Sequence, residues 1–514
     1  MVLDPASHPR SRDGYPSDAA DDPAEDDARG RHATGRGDGF GRLAGLTVLG
    51  AVVPGLGLVL AGRRRTGWAV LAPVLLVVGA LAAVVASGRA VSLARRYAFQ
   101  PQLLLGVAVG AVVVGLLWCL VIIASHRALR RARLTGGQRV LSVLLVGVLV
   151  ALVAVPTATA VKYATSARSV LLTSFGGQRG TDDGLSNPDV AARDPWAGTP
   201  RVNVLLLGAD TGADRTGTRP DTIIVASIDT TSGDTVLFSL PRQLSDVPFP
   251  AGSPAAAAWP KACAANGQGG CELNAVYLFG TQHPELFPGA ADPGVAATRA
   301  AASAALGLRI DYEATIDLQG FQDLVDTMGG LTLNVPRDIP IGGGDILGRG
   351  GRVVGHYPVT GVIPKGQGER LNGYQALWFA RSRWLSTNDD RMARQQCVIN
   401  AAVDQYDVFA LARAFPALAA SATRNLSTDI PASQINAFID LGQRVKGGSL
   451  RALSFTSANI STGHPDYAQL QGLVRDALVP PAPSTPATPA AGAAPAPAPA
   501  PAGPDQPVDT SAVC

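Results

Sequence analysis

The sequence predicts an α/β domain with a central mixed sheet flanked by helices, preceded by an N-terminal multi-helix membrane region. Three observations carry that expectation. Four apolar runs occupy 43–62, 67–87, 101–125 and 140–161. Between 200 and about 415, short β-branched runs alternate with stretches of helical spacing. Beyond 480 the chain becomes a Pro/Ala run that cannot bury a core. The organisation that follows is a disordered cytoplasmic tail (1–42), a transmembrane region (43–162), a linker (163–199), a globular domain (200–479) and a Pro/Ala-rich disordered tail (480–514).

Residues 1–42 are polar and lack apolar periodicity. The last three apolar runs are uncharged and about 20 residues or longer, the length a bilayer requires. Their position and number exclude a cleaved signal peptide. The first run, "LAGLTVLGAVVPGLGLVLAG", is broken by Pro54 and several glycines, and reads equally as a span or a re-entrant hairpin. The loop 126–139 carries Arg127, Arg130, Arg131, Arg133 and Arg139, which makes it cytoplasmic by the positive-inside rule. The next run then leads outward. A multi-pass cell-membrane protein is expected, with everything after residue 162 extracytoplasmic.

In the globular part, "RVNVLLLGAD" (201–210), "DTIIVASID" (221–229), "DTVLFSLP" (234–241) and "LTLNVP" (331–336) read as strands. Residues 292–308, 318–330 and 390–415 have helical spacing. "GGGDILGRGG" (342–351) lacks the Lys-Ser/Thr of a phosphate-binding loop and reads as a flexible turn.

Composition removes several function classes. A net charge of +3 gives no bulk attraction to nucleic acid. Four lysines among 43 basic residues leave arginine as the working cation. There is no C-x-x-C pair, no H-E-x-x-H and no G-x-S-x-G, and His283, His356 and His464 are scattered. A zinc site or a serine triad is therefore unsupported. Cys263 and Cys271 stand close together in one loop and are expected to close a small disulfide in an oxidising compartment.

What remains is arginines and aspartates at the ends of elements. Asp210 closes the first strand, Arg219 and Asp221 flank Pro220, and Arg242 follows Pro241. Loops at strand ends are where α/β folds build ligand sites. In "ARSRWLSTNDDRMARQQ" (380–396), Thr387 or Asn388 can cap a helix whose first turns carry Arg391, Arg394 and Gln395 on one face. Arginine forks at a helix N-terminus suit phosphate oxygens. Aspartates amid that charge suit a divalent cation on a pyrophosphate. The competing reading is an Arg–Asp network that only braces the fold.

"NVLLLGAD…RPDTIIVASID…VLFSLPR", "ELNAVYLFG", "GFQDLVDTMGGLTLNVP" and "ERLNGYQALWFARSR…DDRMARQQ" together resemble the LytR-CpsA-Psr family of cell-envelope proteins over about residues 200–400. The resemblance implies an extracytoplasmic domain that binds a polyprenyl-pyrophosphate-linked glycopolymer. It further implies transfer of that polymer to peptidoglycan by a phosphotransferase using Mg2+. By position, Arg219, Arg242, Arg381, Arg383 and Arg391 resemble the pyrophosphate-gripping arginines, with Gln395 beside them and Arg394 in a lesser role. Asp210 and Asp221 resemble the acids that organise Mg2+, and Asp389 and Asp390 are the candidates for a base. Where the family usually has an acid after Pro-Arg this chain has Gln243, and Glu272 replaces a common lysine. Position 388, often an acid in the family, is Asn388. Two other functions are compatible: a non-catalytic polyprenyl-phosphate receptor or envelope regulator, which Gln243 favours, and a polyprenyl-pyrophosphate pyrophosphatase. Leu324, Val325, Leu331 and Leu333 are candidates for an apolar groove or for ordinary core.

Overall fold

The computed structural model describes residues 38–88, 100–130, 135–174, 188–190, 192–210, 219–265, 271–347, 352–407, 426–480, 503–510 and 514. The chain forms two compact units. The first contains the apolar hairpin α1 (Asp38–Val52) and α2 (Leu56–Leu60), then α3 (Arg64–Ala86). α4 (Pro101–Leu129) and α5 (Gly136–Ser174) follow. Three helices, α3 to α5, are long and apolar enough to cross a membrane. The first apolar run is not such a helix. It breaks at Pro54 and Gly55, whose φ of +95° only glycine adopts without strain. The hairpin packs on the far part of α4, where the Trp118 indole donates to Ala51 O at 2.8 Å and Thr47 Oγ1 lies 3.2 Å from His126 Nδ1.

The second unit is built on a seven-stranded mixed sheet of order β11-β4-β1-β2-β3-β12-β13. β1 (Arg201–Asp210), β2 (Arg219–Asp229) and β3 (Thr235–Leu240) form an antiparallel meander at its centre. β4 (Tyr312–Asp317) joins β1 in parallel and β12 (Leu450–Ser454) joins β3 in parallel. β11 (Leu426–Thr428) and β13 (Val508–Asp509) close the two edges antiparallel.

Alternate residues of the strands face opposite layers, as a period of two requires. Leu205, Leu207, Ile223, Val225, Val236 and Phe238 enter one core with α6 (Pro254–Ala265), α7 (Leu273–Gln282), α8 (Pro293–Leu306) and, late in the chain, a helix at Tyr467–Leu478. Ile224, Ala226 and Leu237 face the other side. There lie α9 (Leu318–Thr327), α10 (Gly373–Arg381) and α11 (Asn388–Gln405). Residues 408–425, part of the predicted helix 390–415, lie outside the described residues.

A β-arm interrupts the helices. β5 (Leu331–Val335) pairs with β10 (Gly366–Leu371), and β6 (Ile339–Gly342) with β9 (Val359–Ile363). β7 (Asp345–Leu347) pairs with β8 (Val353–His356), so the glycine-rich stretch read as a flexible turn holds a strand.

Two disulfides staple this unit. Cys263 bonds Cys271. Cys397, on α11, bonds Cys514 across 117 positions. The tail expected to be free from 480 onward therefore returns to the domain at its far end. β13 pairs with β12, Thr510 Oγ1 donates to Asn400 Oδ1 at 2.7 Å, and Asn334 donates to Cys514 O at 2.8 Å. Residues 481–502 lie outside the described residues, as do 1–37 of the N-terminal tail.

A half-buried acid lies off the site. Glu313 on β4 shares Arg299 with Asp429, at 3.7 and 3.2 Å, and its Oε2 accepts no hydrogen bond. Burial pushes the Glu313 carboxyl up from 4.5 to about 7, against the pull of Arg299 and with help from Asp429 and Asp292. Between those values the folded state keeps a proton the unfolded chain has released, so stability falls as pH rises through that window. Glu313→Gln should remove the fall and raise stability at pH 8 by about 2–3 kcal/mol. Thermal melts of both proteins at pH 4.5 and pH 8 check this.

Candidate functional site

The segment 380–396 takes its shape from two helix termini. α10 starts with a capping box between Asn372 and Gln375 and ends at Arg381. α11 starts at Thr387, whose hydroxyl accepts from Asp390 N at 3.1 Å, with Asp389 and Asp390 in its first turn, where the helix dipole favours acids. From that start, Arg391 and Gln395 reach back towards the β1–β2 hairpin of the sheet. Arg391 Nη2 donates to Asp221 O at 3.3 Å, and Gln395 Nε2 donates to Thr222 Oγ1 at 2.9 Å. Thr222 lies across from Gly208, where a Cβ would come within 2.9 Å of the Thr222 Cβ, so a side chain there would displace the hairpin.

Arg242 completes the group. Asn274 N at the start of α7 donates to Arg242 O at 3.0 Å and fixes the loop. Arg242 Nη1 then donates to Asp221 Oδ1 at 2.6 Å. Burial pushes the Asp221 carboxyl up, but the charge and hydrogen bond of Arg242, with the charges of Arg383 and Arg391, outweigh it and hold it below the ordinary value. Arg391 is 2% exposed, and its Nε has no partner. Burial, and then the charge of Arg383, push its guanidinium down to about 10, with Arg242 and Arg394 adding to the repulsion and Asp221 opposing it. A buried cation crowded by cations and holding an unused donor is a seat for an anion.

These polar groups open onto a cavity of about 350 Å3. Its polar wall is Asp221, Thr222, Thr315, Asp317, Arg381, Arg391 and Gln395. The rest is apolar and includes Leu206, Ile224, Ile316, Phe321, Leu324 and Val398. Of the four residues considered for an apolar groove, Leu324 lines this cavity, while Val325, Leu331 and Leu333 are buried in the core beneath the arm.

Not every expected residue converges. Arg394 turns away from the cavity and braces the 379–386 turn: Nη1 donates to Phe379 O, Nη2 to Ser382 O at 2.6 Å, and Nε to Asp390 Oδ2 at 3.2 Å. Asp390 Oδ2 also accepts from Arg337 at 2.7 Å. Burial raises the Asp390 carboxyl, and the Arg337 bond with the charges of both arginines brings it below the ordinary value. Arg337 carried no expectation from sequence, because its partner lies 53 positions away. Arg381 stacks on Trp378 at 5.2 Å, and Arg383 is exposed beside the group. Asp210 and Arg219 are cross-strand partners at the end of the β1–β2 hairpin, and their side chains lie outside the described residues. Among the described residues no three His, Cys, Asp or Glu side chains gather as a metal cluster.

The family model of LytR_cpsA_psr matches residues 179–475. The chain belongs to this family. Among curated relatives, regulatory protein MsrR of Staphylococcus aureus (strain COL) is 26% identical over 239 residues, 46% of this chain and 58% of that protein. The polyisoprenyl-teichoic acid–peptidoglycan teichoic acid transferase TagU of Oceanobacillus iheyensis is 28% identical over 207 residues, 40% of this chain and 51% of that protein. The chain thus spans little more than half the length of these relatives. Among solved structures, TagV of B. subtilis is similar at 20% identity and a TM-score of 0.34, covering 54% of this chain and 95% of that one. TagT bound to LIIa-WTA is similar at 15% identity and a TM-score of 0.36, covering 58% of this LytR_cpsA_psr chain and 97% of that one.

Proposed function

We propose that this protein is a membrane-anchored phosphotransferase that moves a glycopolymer from a polyprenyl-pyrophosphate carrier to peptidoglycan, with its domain outside the cell. The observation that carries the reading is Arg391, a buried cation with an unused Nε, placed where an apolar cavity meets Arg242 and Arg383. Family membership and the transferase name of the TagU relative support it.

In this reading the pyrophosphate lies against Arg391, Arg242, Arg381 and Arg383, and the polyprenyl chain fills the apolar cavity. Gln395 and Thr222 orient the head by neutral hydrogen bonds. A hydroxyl of a peptidoglycan sugar attacks the sugar-proximal phosphorus. An O–P bond forms, the bridging P–O bond breaks, and polyprenyl phosphate carries away the electron pair. Fixed positive charge around the departing oxygens lowers the barrier without reorganisation. The hydroxyl proton goes to Asp389, since Asp390 Oδ2 already holds Arg337 and Arg394. Arg394 acts as a brace for the turn that presents Arg381 and Arg383. Mg2+ is a hard cation content with one or two carboxylates and phosphate oxygens, and the carboxylate of Asp221 suits it. Asp221, kept ionised and facing the cavity, would hold it with Asp210, and its chemistry would be to neutralise charge on the pyrophosphate.

The test uses the purified full chain in lipid nanodiscs with a short polyprenyl-pyrophosphate-linked glycan, a peptidoglycan oligomer and Mg2+. Mass spectrometry should find a phosphodiester-linked adduct, and Asp221→Ala should slow its formation at least about 100-fold. Tight lipid binding without adduct would sink the transferase reading in favour of the receptor that Gln243 suggests. Polyprenyl phosphate released without adduct would mean a pyrophosphatase.

A further inference from the structure

Of the large apolar side chains exposed between 188 and 480, nine are described and five sit in one short stretch: Val353, Val354, Tyr357, Val359 and Val362. All belong to β8, β9 and the turn joining them, the outer part of the arm. A sixth, Leu385, is 78% exposed and held at a φ of +57°, which L-residues avoid. Its turn is fastened to the arm. Ser382 Oγ donates to Pro340 O at 2.7 Å, and the Trp384 ring lies 4.9 Å from the His356 ring. Gly343, with φ +75°, lets Trp384 approach so closely that a Cβ there would meet its Cγ at 2.6 Å. Arg381 and Arg383 flank this same turn.

We propose that the outer arm and Leu385 dock into the surface of the lipid bilayer in which the chain's own helices are anchored. A stretch this dense in exposed apolar side chains, with no other such cluster among the described residues of the domain, marks an interaction surface. The occupant follows from three features. The last apolar helix ends at Ser174 and β1 begins at Arg201, so the connection can reach at most roughly 90 Å and keeps a bilayer surface at high effective concentration. Four of the five arm residues are valine, which offers hydrocarbon but no flat ring for stacking on a sugar. Exposed Arg352 and Lys365 stand at the edges of the apolar stretch with Tyr357 within it, the pattern of a lipid interface: cations at headgroup level and an amphipathic ring among aliphatic chains. Docking here would hold the turn carrying Arg381 and Arg383 at headgroup height. The proposal depends on the membrane helices and not on the transfer reaction.

The test takes the full chain with Cys119→Ser, which removes the free thiol among the described residues. Val354→Cys is labelled with an environment-sensitive fluorophore, and Ser232→Cys, in the exposed turn after β2, is the control. Both are reconstituted into nanodiscs of phosphatidylglycerol and phosphatidylethanolamine, with and without shallow spin-labelled lipid. At position 354 the emission should shift to the blue and be quenched at least twofold by the spin label, with neither change at 232. Adding Val359→Asn and Val362→Asn should return the 354 signal to the control value. Two outcomes overturn the proposal. One is a 354 label as water-exposed as the 232 label. The other is a blue-shifted but unquenched label, which would mean that protein, such as a second copy of the chain, covers the arm.

Discussion

Replacing Arg391 by methionine should weaken capture of a pyrophosphate-headed lipid at least about 100-fold, a loss of roughly 2.7 kcal/mol, while leaving the domain as stable as before or more so. The two effects have one cause. Burial and the neighbouring arginines lower the guanidinium from its ordinary value to about 10, so the folded state holds this charge at a cost. Methionine fills much of the same volume without charge and should return about 1–3 kcal/mol to the fold. An arginine kept only to brace the domain would show the opposite pair, a lower melting temperature and unchanged binding. Titration calorimetry with a short-chain polyprenyl pyrophosphate, beside thermal melts of the same preparations, separates the two.

The second large effect is expected at the far end of the chain. Cys514→Ser should destabilise the domain by about 3 kcal/mol, because a bridge across 117 positions removes a large share of the unfolded chain's freedom. The cost should fall on α11, which carries Arg391 and Gln395 within two turns of Cys397. Thermal melts of the oxidised parent, Cys514→Ser and Cys397→Ser should show both variants lowered alike. A change below about 1 kcal/mol in each would mean that the tail adds nothing to the domain.

The site was legible in the sequence where it rests on local chemistry. Pro220 and Pro241 punctuate strand ends, and the i, i+4 spacing of Arg391 and Gln395 put both on one helix face, where the structure finds them on Asp221 and Thr222. The same spacing argument failed for Arg394. Its partners are backbone carbonyls at Phe379 and Ser382, and an acceptor common to every residue leaves no mark in a sequence. The central strands and β5 showed through their apolar runs, whereas the rest of the arm did not, since its strands are three to six residues long and most contain glycine. The Cys397–Cys514 bridge was hidden for a different reason. A Pro/Ala run signals that it cannot form a core, but it does not signal that residues 503–510 beyond it can return to one. The Glu313, Arg299 and Asp429 group joins three elements up to 130 positions apart, a distance at which charge patterning along the chain says nothing.

The broken first hairpin bears on parity. α1 has 15 residues and rises about 22 Å, short of the roughly 30 Å hydrocarbon layer, and after the turn at Gly55 the five residues of α2 add less than 10 Å. The hairpin is therefore too short to cross, and among the described residues three helices long and apolar enough to cross remain. An odd number of crossings sends the two ends of a chain to opposite compartments. If all three cross, the acidic and arginine-rich first 37 residues share a side with Arg63, Arg64 and Arg65, and a kinase or protease that reaches them does not meet the domain beyond Arg201.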